Sequence, residues 1–267
     1  MYTFSNQSVS ATSYFWDFGN GETSTDLEPS TTYPGEGTYT VSLTAKDNLN
    51  VESTFTQEIM VVEPAAPPVT DPILVNADFD KIPKSSGSDC ACSGWINKSI
   101  GDQGESSSGN GSDVLKFDNN EPDHIYQEFA VQANADYIIT VVTQFKSLTG
   151  GSTPSKLELR ILAGSGYDAG YTPTYYATAV EYPQDNFGYS SIAQVEDAAN
   201  NLLVNVQENP NDDGYLTYTY SFNSGANTSV AFFMRGIGST TGGSGGSFGY
   251  YSGDEEIRID SVLIEAL

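Results

Sequence analysis

The chain has 267 residues, enough for two domains of ordinary size. Its 35 acidic and 10 basic residues leave a net charge of −25 at neutral pH, a field that repels phosphate backbones and anionic lipid surfaces; neutral polymers and calcium are compatible partners, nucleic acid is not. No run of about 18 apolar residues is present to span a bilayer, and two cysteines, Cys90 and Cys92, do not make a disulfide framework. The 17 Tyr, 13 Phe and 26 Gly, with many Thr and Ser, suit strands and turns, so an all-β chain is expected. Met1 is followed by Tyr2-Thr3-Phe4 with no basic or apolar leader. We therefore expect a trimmed portion of a secreted or lipid-anchored protein.

Residues 1–63 are built from short alternating runs, Ser13–Phe18, Thr38–Ala45 and Thr54–Val62. Asn20-Gly21 and Pro34-Gly35 are turn dipeptides between them. The string Trp16-Asp17-Phe18-Gly19-Asn20-Gly21, then Tyr33, then Gly37-Thr-Tyr-Thr-Val-Ser-Leu-Thr-Ala45 and Asp47, resembles the PKD (polycystic kidney disease) domain, with Asn20 in place of the usual Asp. The resemblance implies an immunoglobulin-like sandwich, Trp16 in its core and a spacer or protein-contact role. The opening strand of that family is largely absent from these residues.

Residues 64–72, PAAPPVTDP, hold four prolines and predict an extended semi-rigid arm of roughly 25–30 Å. Beyond it, residues 73–267 show period-2 runs at Asp113–Phe117, Ile125–Val131, Tyr137–Phe145, Lys156–Leu162, Tyr215–Phe222, Ser229–Arg235 and Glu256–Ile264. Only Ser191–Asn200 has helical character. Two β-sheets packed face to face account for this spacing. The opening Ile73-Leu-Val-Asn76-Ala-Asp78-Phe79-Asp80, the Gly94-Trp95 pair and the closing Glu256–Ile264 strand resemble the two ends of a jelly-roll carbohydrate-binding module, in which the opening and closing strands lie side by side. With the PKD-like unit in front, the whole is similar to surface glycan-binding proteins of polysaccharide-utilisation systems.

Several side chains are candidates for contact with a sugar. Trp95 is either a stacking platform or a core residue beneath a cleft. Tyr171, Tyr175 and Tyr176 belong to an irregular aromatic stretch, Tyr167–Tyr189, long enough to be a functional loop. Arg160 and Arg235 alternate with apolar neighbours, and with Gln144 they offer planar donors for vicinal hydroxyls or, as the plainer alternative, ion pairs. The resemblance also implies a structural Ca²⁺ tying the terminal strands through Asn76, Asp78, Asp80 and Asp260.

Catalysis is not expected. His124, the only histidine, sits in what reads as a polar turn, and Gly242-Gly-Ser244-Gly-Gly246 lies in a low-complexity run rather than on a nucleophile elbow. Glu256-Ile-Arg258-Ile-Asp260-Ser261 breaks the acid spacing of jelly-roll glucanases at Arg258 and at Ser261. Cys90-Ala-Cys92 lacks further zinc ligands and reads as a local bridge or two thiols. The expectation is therefore a monomeric, extracellular or cell-surface module that binds a neutral polysaccharide, β-1,3-glucan first. The alternatives are an adhesin binding a protein, or the binding portion of a larger secreted hydrolase.

Overall fold

A computed structural model describes residues 1–62, 67–81, 94–95, 99–118, 120–172, 186–239 and 248–267. Cys90, Cys92, Tyr175 and Tyr176 lie outside the described residues. The chain divides into two compact units, Met1–Pro68 and Val69–Leu267.

The first unit has strands β1 (Tyr2–Thr3), β2 (Ser13–Asp17), β3 (Thr23–Ser24), β4 (Ser30–Thr31), β5 (Gly37–Lys46) and β6 (Glu52–Val61). A four-stranded antiparallel sheet runs in the order β3-β2-β5-β6, and β1 pairs with β4. Alternation along β2 and β5 turns Trp16, Val41 and Leu43 inward onto Phe18, with Phe4 and Tyr33 against them. The Trp16 indole donates to Asp26 O at 3.1 Å, so its single polar atom is satisfied inside the core. Gly19 is required where it stands: its φ is +73°, and a Cβ there would come within 2.5 Å of Thr40 O. Asn20 closes the same turn, its Oδ1 accepting from Glu22 N while its Nδ2 donates to Thr31 Oγ1 and Thr32 O.

One side of this sandwich is open. β6 forms the edge of its sheet, and Phe55, directly opposite the buried Leu43, remains 67% exposed. Beside β6 runs a groove made of two cavities of about 540 and 280 Å³, floored by Trp16, Val41, Leu43 and Ala45.

The second unit contains β7 (Asp102–Gln103), β8 (Glu105–Gly109), β9 (Ser112–Phe117), β10 (Asp123–Ala130), β11 (Asp136–Phe145), β12 (Lys156–Ala163), helix α1 (Ile192–Glu196), β13 (Asn201–Gln207), β14 (Tyr215–Asn223), β15 (Ser229–Ile237) and β16 (Ile257–Ala266). They form two five-stranded sheets, β13-β12-β15-β10-β7 and β14-β11-β16-β9-β8. All pairings are antiparallel except β7 with β10. From β9 to β16 the chain crosses between the sheets at every step but β12–β13, which makes the unit a jelly-roll sandwich. Period-2 patterning fills the space between: Ile125, Phe129, Leu159, Ile161, Phe232 and Met234 from one sheet meet Tyr137, Ile139, Val141, Ile259, Val262 and Ile264 from the other.

The opening stretch departs from expectation. Residues 73–81 take turns rather than a ladder strand, although Val262 N donates to Ala77 O, so the segment does lie beside β16. Asn76 and Phe79 both adopt positive φ, which ends any extended run. Gln127, projecting from β10, holds the stretch: its Oε1 accepts from Val75 N at 2.8 Å, and its Nε2 donates to Val75 O and Gly94 O.

Trp95 is a core residue and not a platform. It is fully buried between Phe79 and Phe232, and its indole donates to Asn76 O at 2.6 Å. Trp95→Ala is therefore expected to cost about 3–5 kcal/mol in unfolding free energy. Chemical denaturation of the variant checks this; a loss below about 1 kcal/mol would contradict the packing described.

Candidate functional site

The outer face of the β13-β12-β15-β10-β7 sheet is the chemically richest surface of the second unit, and it is covered. Outward positions are His124, Tyr126 and Glu128 on β10, Ala231, Phe233 and Arg235 on β15, and Glu158, Arg160 and Leu162 on β12. All are buried, Arg160 least so at 9% exposure. The cover comes from the described parts of the connection between the adjacent strands β12 and β13, residues 164–172 and 186–200, which pack Tyr167, Tyr189, Ile192 and Val195 onto Tyr126, Leu162 and Phe233. Ser191 starts α1 with a capping box, its hydroxyl accepting from Gln194 N while the Gln194 side chain returns to the Ser191 N–H. Asp168 ties the two halves of the connection, accepting from Gln194 Nε2 at 2.8 Å and from the Ser190 hydroxyl.

Beneath the cover lies an ion network. Glu158 receives Arg160 Nε at 2.7 Å and Nη2 at 3.2 Å, and Arg235 Nε at 2.8 Å. Arg160 Nη1 donates to Val195 O and Asn201 Oδ1, and Arg235 Nη2 reaches Glu196 on α1 at 2.8 Å. The Arg235 guanidinium lies 4.4 Å over the Tyr250 ring. Its Nη1 is buried without a hydrogen-bond partner. Burial pushes the Glu158 carboxyl up, but the hydrogen bond from Arg160 and the charges of Arg235 and Arg160 outweigh it and hold the group below the ordinary glutamate value.

A second cluster sits at the other end of the face. The Tyr126 hydroxyl donates to Glu128 Oε1 and accepts from Tyr189 N at 3.1 Å. Glu128 Oε2 is buried with no partner, and burial pushes this carboxyl up to about 8 against the Tyr126 hydrogen bond. His124 is not in a polar turn: it lies fully buried on β10, donating from Nδ1 to Asp102 O at 2.8 Å, its ring 5.7 Å from Phe233.

The expected sugar contacts divide accordingly. Arg160 and Arg235 come together on one face, and both take the plainer alternative of ion pairs with carboxylates, beneath the cover. Gln144 stands on the outer face of the opposite sheet, across from Arg258, and its Nε2 donates to Asp213 O at 2.6 Å, so it cannot join them. Tyr171 is half-buried at the margin of the cover, its hydroxyl donating to Ser99 Oγ at 2.7 Å. The expected calcium set does not converge. The Asn76 side chain is used up closing its own turn onto the Asp80 backbone, and Asp260 accepts from Asn110 and Ser112. No group of three acidic, His or Cys side chains that could hold a metal ion forms among the described residues. Glu158, Glu128 and Tyr126 were not singled out from sequence as site residues, whereas Tyr189 closes the aromatic stretch read as a functional loop; for the first three the only signal was the two-residue spacing of Glu158 with Arg160 and of Tyr126 with Glu128.

Fold and site together define a two-unit all-β protein, a β-sandwich followed by a jelly-roll sandwich. Residues 2–62 match the family model for the PKD domain. The pre-pro-metalloprotease PrtV of Vibrio cholerae is 42% identical over 66 residues, which are 25% of this chain and 7% of that protein. The chain thus spans only a small part of the curated relative it matches. Solved structures to which this chain is similar include a CBM4 module (11% identity, TM-score 0.38, covering 73% of this chain and all of that one). Another is the CBM22-1 xylan-binding domain of Paenibacillus barcinonensis Xyn10C (11% identity, TM-score 0.37, covering 75% of this chain and 97% of that one). No helix among the described residues is long and apolar enough to cross a membrane.

Proposed function

We propose that the second unit binds an extracellular polysaccharide without cleaving it, with a neutral β-1,3-glucan as the first ligand to test, and that the PKD unit serves as its spacer at a cell surface or in a secreted protein. The observation that carries this reading is the β12–β13 connection. Its described residues lay Tyr167 and Tyr189 against a sheet face that carries two guanidinium forks among its polar groups, and they leave Tyr167, Tyr171 and Phe187 half-buried at the margin. Aromatic rings offer flat apolar area to a pyranose, and the net charge of −25 favours a neutral polymer over an anionic one. A glycosidase needs two carboxyls flanking the bond, and on this face Glu158 is held between two arginines while Glu128 is buried beneath Gly188, which favours binding without cleavage.

Isothermal calorimetry of the full chain against laminarin, xylan, mannan and alginate, with and without chelator, tests the reading. Heat with a β-glucan at micromolar to millimolar affinity is expected, lost in Tyr171→Ala or in the double variant Tyr175→Ala/Tyr176→Ala at unchanged Tm. Silence across all four glycans would remove it. Calcium enters the same experiment as a separate arm: a rise in Tm on adding the ion, reversed by chelator, would establish a site that the Asn76 turn does not prepare.

A second reading, docking of a protein through the PKD unit, is favoured by the open side of that sandwich. An extended peptide could hydrogen-bond along the free edge of β6 and place alternate side chains over Trp16, Val41 and Leu43.

A further inference from the structure

The cover over the outer sheet face rests on a carboxyl group that pairs with no cation among the described residues. Glu128 is 4% exposed; its Oε1 is met by the Tyr126 hydroxyl and its Oε2 by nothing. The backbone of the cover lies directly on it, since a Cβ at Gly188 would come within 2.9 Å of Glu128 Oε1. The next residue, Tyr189, is fully buried; it donates its N–H to the Tyr126 hydroxyl and its own hydroxyl to Ala163 O at 2.7 Å. One carboxyl, one phenol and one backbone amide thus form a chain from the sheet to the cover.

Among the described residues, the groups facing this point supply no counter-charge. On β10 there is Tyr126; from the turn after β12, Tyr167, whose hydroxyl is shared with Ser229 at the start of β15; from the cover, Tyr189 and, beside Gly188, Tyr171. The two arginines of the face, on β12 and β15, are bound to Glu158 and Glu196. An ionised Glu128 would be a buried anion with one oxygen undonated, and water reaches it only if the cover lifts. Three tyrosines held at raised phenol pKa by the same burial cannot donate the missing proton.

We propose that the 186–200 cover is a proton-controlled gate, latched to the sheet while Glu128 is protonated and released when Glu128 ionises, uncovering the face that carries Arg160 and Arg235. Local opening of this kind needs only the free energy of one small segment, well below that of the whole unit. The gate stands independently of any sugar. The location of the carboxyl's titration near 8 places the release in mildly alkaline solution.

Amide hydrogen exchange of the full chain, corrected for the intrinsic pH dependence, reads the gate directly. Between pH 6.5 and pH 9 the protection of the Tyr189 amide and its neighbours is expected to fall about tenfold or more, while peptides over β11 and β16 keep theirs. In Glu128→Gln, and in Glu128→Met as a second variant without a titrating group, protection of the segment is expected to stay constant over the same range. Unchanged protection in the wild type would overturn the gate. So would a fall that persists in both variants, or one shared equally by β11 and β16, which would report unfolding of the whole unit.

Discussion

Glu158→Ala is expected to destabilise the second unit by about 3–5 kcal/mol, because it strands two guanidinium groups in a buried site. Arg160 and Arg235 both lose the carboxylate that neutralises them, and what remains is Glu196 at the margin and the Tyr250 ring. For a unit of this size the loss corresponds to a fall in Tm on the order of 10 °C. The ion network is not expected to be the cheapest way of building this face. A triple variant, Glu158→Leu/Arg160→Met/Arg235→Met, removes all three charges at similar volume and should recover most of the lost stability. Calorimetric melting of both variants decides the matter. A Glu158→Ala protein that melts within about 2 °C of wild type would show that the network is hydrated and not sealed by the cover.

The stability of the second unit is expected to decline steadily from pH 5 to pH 8, the reverse of the usual carboxylate trend. Asp123, at the start of β10, is 4% exposed; burial pushes its carboxyl up to about 8, with the charges of Asp118, Glu121 and Glu105 adding to the effect and the Asp118 N–H opposing it. Glu128 is raised to a similar value by burial. Across this range the native state keeps a proton on each group while the unfolded chain has lost it, so stability is full below the ordinary carboxylate range and falls as pH rises toward 8. The slope is at most about 1.4 kcal/mol per pH unit for each group. Glu158 acts in the opposite sense, its contribution being complete above the ordinary glutamate range and lost in acid. The maximum should therefore sit on the mildly acidic side. Asp123→Asn, whose amide oxygen can still accept from Asp118 N, should halve the alkaline decline and raise Tm at pH 8.5 above wild type. A flat Tm between pH 5 and pH 8 would show that both carboxyls are hydrated.

Most strands were legible because one face of each meets a core, and that imposes the period of two. The runs at Tyr137–Phe145 and Glu256–Ile264 fall within a residue or two of β11 and β16. β8, with sequence ESSSG, was not legible, since it is an edge strand with little apolar content to alternate. β13, NLLVNVQ, escaped notice because its bulged pairing with β12 breaks the alternation. The candidate site was only partly legible, for a different reason. The ion-pair alternative for Arg160 and Arg235 could be read from their strands, but an outward-facing polar residue on a strand implies solvent only if nothing lies above it. Here the connection between β12 and β13 lies above it, through contacts such as Arg160 with Val195 that are distant in sequence and leave no periodic trace. Trp95 and Gly94 were recognised as a motif whose role, anchoring to Asn76 and Gln127, is structural.

The position of β16 bears on how the second unit is made. Although it is the final strand in chain order, it lies in the middle of its sheet, between β11 and β9. Its link to the β8–β9 hairpin, for instance Ser112 to Asp260, closes a separation of 148 residues. Until Ile257–Ala266 arrives, β11 and β9 have no common neighbour and the apolar faces of Tyr137, Ile139 and Leu115 have nothing to close against. Loop-closure entropy must be met before such distant pairings are rewarded, so folding is slow and concerted, and it waits on the last strand to emerge. A growing chain with this topology cannot complete its second sheet until Ile257–Ala266 is free to pair, however early the other strands are made.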